Sequence, residues 1–320
     1  MNHEQPCPFG AAALLLPASG RLSAEATMKS HNYTATAYLF LAPALILLGI
    51  FTFWPVGFNT YLAFHDYAIA DGVTTWNDFA HFKYIYDESL FHSALKNSLL
   101  YLLVVPCIQL AALLMAKLVN NKLPGMTFFR ATYYIPVITA ISVAGVAWAF
   151  VYKYDGMLNG FLGWVGHALG LLASPEVQID WLGNPDIAIF SVMAFTFWKG
   201  LGYYMVLYLA GLQAIPAEVE EAAILDGANA WDRFWKITVP MVKPTILLCT
   251  LLSTIGAMKA FQEVIVLSKG QADTYTALYY VFDQAFRNYN FGRAAAAGLV
   301  VTFFCMMLAI VQFRFFGDRK

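Results

Sequence analysis

Four polar side chains, Gln109, Lys199, Gln262 and Glu263, stand inside otherwise apolar stretches of the chain. Polar groups at such positions are expensive in hydrocarbon and usually face a bundle interior or a cavity, where they bind a passing polar solute or one another. Lys199, beside Trp198 and ahead of Gly200 and Gly202, is a candidate either to line a path or to neutralise Glu263; the alternative is snorkelling or helix–helix pairing. Trp148, Tyr152, Trp198 and Phe261 offer ring faces for stacking, although with 16% aromatic residues most such rings belong to the core or face lipid. This is the chemistry of recognition, not of bond making. The sequence has no GxxxxGK[ST] phosphate cradle and no HExxH, and His3, His31, His65, His81, His92 and His167 all lie outside the apolar spans. Cys7, Cys107, Cys249 and Cys305 lack CxxC spacing. No catalytic residue and no metal ligand is assigned.

The elements that must position these residues follow from composition. Of 320 residues, 60% are hydrophobic and only 12% charged, about half the charged share of an ordinary soluble domain. The mean hydropathy of +0.59 excludes a water-soluble globule. A formal net charge of -1 leaves no cationic surplus to displace counterions, which excludes nucleic acid as a partner. A membrane helix needs about 20 apolar residues, and such windows lie near 37–58, 96–118, 130–152, 187–209, 244–266 and 293–315. The expected fold is an all-α membrane protein of six spans in the lipid bilayer. The long connections 59–95 and 153–186 carry Asp66, Asp71, Asp78, Asp87, Glu88, Asp155, Glu176, Asp180 and Asp186, so they are read as outer, aqueous loops. The opposite side holds Lys117, Lys122, Arg130, Arg233, Lys236, Lys243 and the basic residues near both ends, which places both termini in the cytoplasm. Residues 1–34 read as a disordered extension, 35–95 as the first span and an outer loop, 96–315 as a five-span core, and 316–320 as a cytoplasmic tail. Met28 followed by Lys29 is a natural start for the first span, and nothing functional is assigned before it.

The inner segment 213–243 is too long and too structured for a plain connector. Pro216 suits the first turn of a helix, and Glu218, Glu220 and Glu221 complement the positive end of its dipole. The pattern predicts a helix through Ala222 and Ala223 to Asp226, a stop at Gly227, and a second helix from about Ala230 through Trp235 that ends before Pro240. Its small apolar residues, Val219, Ala222, Ala223 and Ile224, suit insertion into a protein cleft. Resting on lipid is the alternative, but that calls for a basic polar face, and here the polar face is acidic.

Glu221-Ala222-Ala223, then Gly227, then Ile237 and Val239-Pro240 resemble the EAA motif of ABC importer permeases, with valine in place of the usual penultimate leucine. From about residue 35 onward the chain is similar to bacterial binding-protein-dependent sugar permeases, the carbohydrate and glycerol-3-phosphate uptake group. Family-like phrases include Asn97-Ser98, the run from Phe128 to Pro136, Asp155 to Asn159, and Ile224 to Ala228. Two places depart from the pattern: Lys269-Gly270-Gln271 replaces a Gly-Gly-Pro, and Arg293 replaces the aromatic after Gly292.

The resemblance implies a transport subunit that binds no cofactor itself. ATP and magnesium belong to cytoplasmic ATP-binding partner subunits, beside a second, non-identical permease subunit and an extracytoplasmic solute-binding protein, in the bacterial inner membrane. It implies ATPase coupling through Glu221, Ala222, Ala223, Asp226, Gly227, Ile237 and Pro240, and makes Trp148, Lys199, Phe261, Gln262 and Glu263 candidates for the substrate path. A self-sufficient secondary transporter, expected to show inverted repeats, and an intramembrane enzyme are the rival classes; neither explains the inner loop.

Overall fold

In the computed structural model, residues 36–67, 74–120 and 125–317 are described; expectations for the chain ends and for Cys7 lie outside them. The chain divides into two units at Asn59 and Thr60. Helix α1, Thr36–Ala63, is long and apolar enough to cross a membrane, and Leu39, Phe40, Phe51 and Phe53 stand uncovered along it. A π-turn over Gly49–Phe53 interrupts its register just ahead of Pro55. The wider turn makes room for a proline ring and absorbs its missing N–H, so the helix continues.

After the last turn of α1, the second unit continues with an antiparallel pair, β1 (His65–Tyr67) and β2 (Thr74–Trp76), with Asp66 opposite Thr75. Helix α2, Ala80–Asp87, follows it. Helix α3, Ser89–Val119, is 31 residues long, about 46 Å at 1.5 Å per residue, and starts well before the expected residue 96. Next come α4 (Met126–Ile138), α5 (Ile141–Val151), α6 (Met157–Ala168) and α7 (Ala188–Gln213). The inner segment contributes α8 (Ala217–Leu225) and α9 (Ala230–Met241), followed by α10 (Lys243–Met258), α11 (Gln262–Leu267), α12 (Ala277–Phe282) and α13 (Phe291–Phe316).

Two expected spans are broken. The window 130–152 is two helices, α4 and α5, meeting at 97°. Pro136 withdraws a backbone donor from the last turn of α4, and Thr139 and Ala140 are extended between them. The window 244–266 breaks at Lys259–Phe261, where Phe261 at φ -143° starts α11, and α9 and α10 are bent by 70° about Val242. Three described helices are long and apolar enough to span by themselves, and up to five spans result if each bent pair counts as one. Helix α7 has 26 residues, about 39 Å, but Lys199, its tyrosines and glycines, and Gln213 make it less apolar than those three.

The buried side chains form three clusters. Tyr101, Val192, Phe195, Val264 and Tyr279 hold the first, Ala112, Met205, Tyr208, Phe234 and Cys249 the second, and Ile85, Phe91, Tyr280 and the alanines 295–297 the third. Small residues on α13 let α12 come close, the usual device where lipid supplies no hydrophobic drive between helices. Gln109 ties three helices: its amide nitrogen, Nε2, donates to the Cys249 carbonyl at 3.1 Å and to Ser253 Oγ at 2.8 Å, and its Oε1 accepts from the Tyr208 hydroxyl at 2.7 Å. Replacing Gln109 with Leu should lower stability by about 1 kcal/mol, in line with interhelical polar contacts in membranes, and equilibrium unfolding in mixed detergent micelles measures it.

Candidate functional site

Helix α8 begins at Pro216, whose φ of -59° and ψ of 137° make it the N-cap, and Glu218 and Glu220 occupy its first turn. It ends in a Schellman turn: the Ala228 N–H donates to the Ala223 carbonyl and the Gly227 N–H to the Ile224 carbonyl, both at 3.0 Å. Gly227 sits at φ +79° with nothing within 4 Å of where a Cβ would stand. Backbone conformation, not crowding, therefore demands glycine there. Asn229, which the sequence reading left without a role, caps α9, its Oδ1 accepting from the Asp232 N–H at 2.8 Å. An Asn ahead of an acidic first turn was the available signal.

Helix α9 does not end before Pro240 as expected. A π-turn over Phe234–Thr238 precedes the proline and the helix carries on to Met241, the same accommodation as at Pro55 in α1. The segment is fastened to the body by the Lys117–Glu220 ion pair at 3.2 Å, by Ala223, and by Phe234, buried in the second core cluster; Ile237 is half-buried and Val239 packs against that cluster. Glu221, Ala222, Asp226 and Pro240 are exposed. So are Ile224, Leu225 at 88% and Trp231 at 71%. The loop thus turns a stiff, capped helix outward, with large apolar side chains set among carboxylates.

The span residues behave differently from one another. The Lys199 ammonium donates to the Pro136 carbonyl at 2.9 Å and the Thr139 carbonyl at 2.7 Å, the acceptors freed where α4 meets α5. Its charge is spent on capping the break, with Glu263 within electrostatic reach. Trp148 is half-buried, with ring centroids 5.2 Å from Tyr152, 5.3 Å from Trp198 and 5.8 Å from Phe195. Phe261 lies 4.8 Å from Phe282 and packs against the same cluster as Trp148. Both rings pack against neighbouring aromatic side chains. Glu263 lies half-buried in the first turn of α11, while Gln262 beside it is exposed. The structure brings Trp148, Lys199, Phe261 and Glu263 around one region, and Gln109 is drawn elsewhere into the helix tie.

On the opposite side, the residues of the family-like phrases hold loops in place. Asn97 Nδ2 donates to the carbonyls of Asp273 at 2.7 Å and Tyr275 at 3.1 Å, and Ser98 Oγ accepts from the Ala277 N–H at 2.9 Å. These bonds restrain a turn in which Lys269, Ala272 and Asp273 all have positive φ, at the site of the missing Gly-Gly-Pro. Asn159 donates to the carbonyls of Tyr154 and Ile179 and accepts from Trp181 Nε1. Arg293, the other departure, lays its guanidinium over the Tyr84 ring at 3.5 Å.

Residues 90–318 match the family model described as binding-protein-dependent transport system inner membrane component. The chain belongs to that family. It is an ABC transporter permease, a membrane subunit rather than an enzyme, and the family's ATPase is a separate subunit. The permease is 30% identical over 295 residues to the lactose transport system permease protein LacF of Rhizobium radiobacter, covering 90% of this chain and 96% of the relative. It is 29% identical over 286 residues to the sn-glycerol-3-phosphate transport system permease protein UgpA of Agrobacterium fabrum, covering 88% and 94%. Its fold matches a chain of the crystal structure of a bacterial alginate ABC transporter in complex with alginate pentasaccharide-bound periplasmic protein, with a TM-score of 0.73 at 21% identity over 89% of this chain and 95% of that one.

Replacing Lys199 with Met leaves two carbonyls of the break without a donor, which should destabilise the permease by about 1–3 kcal/mol; thermal unfolding in detergent reads this, and a residue that only lined a path would leave the midpoint unmoved. Gly227→Ala should cost about 1–2 kcal/mol of local stability and Gly227→Asn less, because asparagine tolerates the left-handed conformation. Faster tryptic cleavage after Arg233 and Lys236 in the alanine variant checks it.

Proposed function

We propose that the chain is one of two unlike permease subunits of a bacterial importer for a sugar or related solute. It crosses the membrane six times: α1, α3, α7 and α13 each count as one span, and the bent helices supply the other two. Both termini lie in the cytoplasm, and an extracytoplasmic binding protein delivers the solute. The relatives' names, a lactose and a glycerol phosphate system, support the solute class.

The observation that carries the reading is α8 with its glycine-locked end. A rigid helix anchored by Glu220 and Ala223 presents uncovered Ile224 and Leu225, and Trp231 stands uncovered at the start of α9, in a segment rich in carboxylates. An acidic surface is repelled by anionic lipid, so these side chains suit a protein cleft. The partner is a cytoplasmic ATPase that holds ATP and magnesium. When nucleotide closes the ATPase pair, α8 moves with it. Glu221, Ala222, Ala223 and Asp226 make up the docked helix, Gly227 fixes its exit, and Ile237 to Pro240 carry the displacement into α10. Lys199, by holding α4 and α5 at their break, makes the neighbouring aromatic region move as a unit during alternating access, with Trp148, Phe261, Gln262 and Glu263 beside the solute's route.

Purification of the tagged chain from native membranes in mild detergent should bring down a P-loop ATPase and a second six-span protein, both lost with Leu225→Glu. In proteoliposomes, Gly227→Val should lower solute moved per ATP hydrolysed. Recovery of the chain alone, with flux persisting in the absence of ATP, would reject the importer assignment.

A further inference from the structure

The first half of the loop between α5 and α7 is not built like an aqueous connector. No Asp, Glu, Lys or Arg lies between Asp155 and Glu176. Helix α6 carries Met157, Phe161 and Trp164 in line, at the i, i+4, i+7 spacing of one helical face, and these are 79%, 60% and 66% exposed. Leu169 and Leu171, just past its end, are uncovered as well. The opposite face is closed. Asn159, Gly163 and Gly166 are buried, and a Cβ at Gly163 would run into the Pro175 carbonyl and one at Gly166 into the Leu172 side chain, so the returning chain lies directly against the helix. The Asn159 bonds to Tyr154, Ile179 and Trp181 fix the helix at this angle. The Trp181 ring lies 6.2 Å from the Tyr152 ring, and the Tyr152 hydroxyl donates to the Ser191 carbonyl of α7 at 2.8 Å. Rolling the apolar stripe inward would break all of these contacts.

We propose that α6 is an interfacial anchor whose Met157, Phe161 and Trp164 lie in the headgroup and upper acyl region of the outer leaflet. Three observations favour lipid as the occupant. Only five residues separate α6 from α5, a reach of at most about 20 Å, and they are drawn into a turn in which the Gly156 N–H donates to the Lys153 carbonyl at 2.8 Å. The stripe continues the uncovered face of α5, formed by Val143, Val146 and Phe150, which a membrane helix turns toward lipid. Tyr154 and Trp164, both uncovered, are the ring types that gather at the boundary between hydrocarbon and water. A free amphipathic helix needs a basic face to bring it to a membrane. Helix α6 needs none, because the chain on either side holds it there and protein closes its back. A binding protein is the weaker occupant, since it docks and leaves, and each departure would return these large apolar side chains to water. Anchored in this way, α6 sets the depth at which α5 and α7 leave the membrane. The choice of leaflet rests on the reading of this loop as extracytoplasmic.

The test uses a cysteine-free form of the complete transporter in nanodiscs of dioleoylphosphatidylcholine. One cysteine is introduced, as Phe161→Cys or, for an exposed reference in the same loop, Glu176→Cys, and carries an environment-sensitive fluorophore. A nitroxide near the headgroup end of the lipid chain should quench the label at position 161 several-fold more than the label at 176, and aqueous iodide should quench it several-fold less. Should Phe161→Cys fail to assemble, Met157→Cys replaces it. Should the cysteine-free form fail, brominated phosphatidylcholine should quench the tryptophan fluorescence of the unmodified transporter more than that of Trp164→Phe, and equal quenching overturns the proposal. Equal iodide quenching at 161 and 176 overturns it by placing the stripe in water. A label at 161 shielded from iodide and untouched by the lipid nitroxide overturns it by placing a protein there, the second permease subunit or the binding protein. Failure of an impermeant maleimide to reach Glu176→Cys in right-side-out vesicles marks instead a failure of the extracytoplasmic reading, on which the lipid contact itself does not depend.

Discussion

In hydrocarbon there is no water to satisfy a backbone carbonyl, so a helix that breaks inside a membrane must find its donors within the protein. The junction of α4 and α5 is the clearest case. A 97° turn frees the carbonyls around Pro136 and Thr139, and one lysine from α7 answers two of them. This requires α7 to lie close against α4, and Gly202 permits it: a Cβ there would stand 2.0 Å from the Tyr133 carbonyl oxygen. The position of α7 against α4, the break itself and the aromatic packing around Trp148 are therefore one arrangement, held by the same few contacts.

The inner loop meets a different demand. It holds a fixed shape while leaving one face uncovered. Capping supplies the rigidity, through Pro216, the Schellman turn at Gly227 and the Asn229 cap, so that α8 keeps its shape without being buried. Attachment is concentrated at Lys117–Glu220, Ala223 and Phe234. A single exposed ion pair is a weak fastening.

Prolines are handled by the same local device in two distant helices. At Pro55 and Pro240 a five-residue π-turn ends two residues before the proline, and each helix runs on. At Pro136 no such turn precedes, and the helix ends within one turn. At these three positions the outcome goes with the turn ahead of the proline, which a residue pattern does not encode.

The sequence by itself determined that the chain is helical and membrane-bound, where its apolar segments lie, and where α8 starts and stops. These follow from local rules: hydrocarbon thickness sets span length, and a left-handed residue calls for glycine. Only the tertiary structure decided what the polar residues do. Gln109 and Lys199 look alike in sequence as polar groups in apolar runs, yet one knots three helices through Cys249, Ser253 and Tyr208 and the other caps a break 60 to 63 residues away in sequence. Asn97 and Ser98 were legible as a phrase but not as the anchors of a strained turn some 175 residues later. A side chain's hydrogen-bond partner is fixed by which helix packs beside it, and helix packing is a long-range outcome of small residues and shape that no local pattern contains.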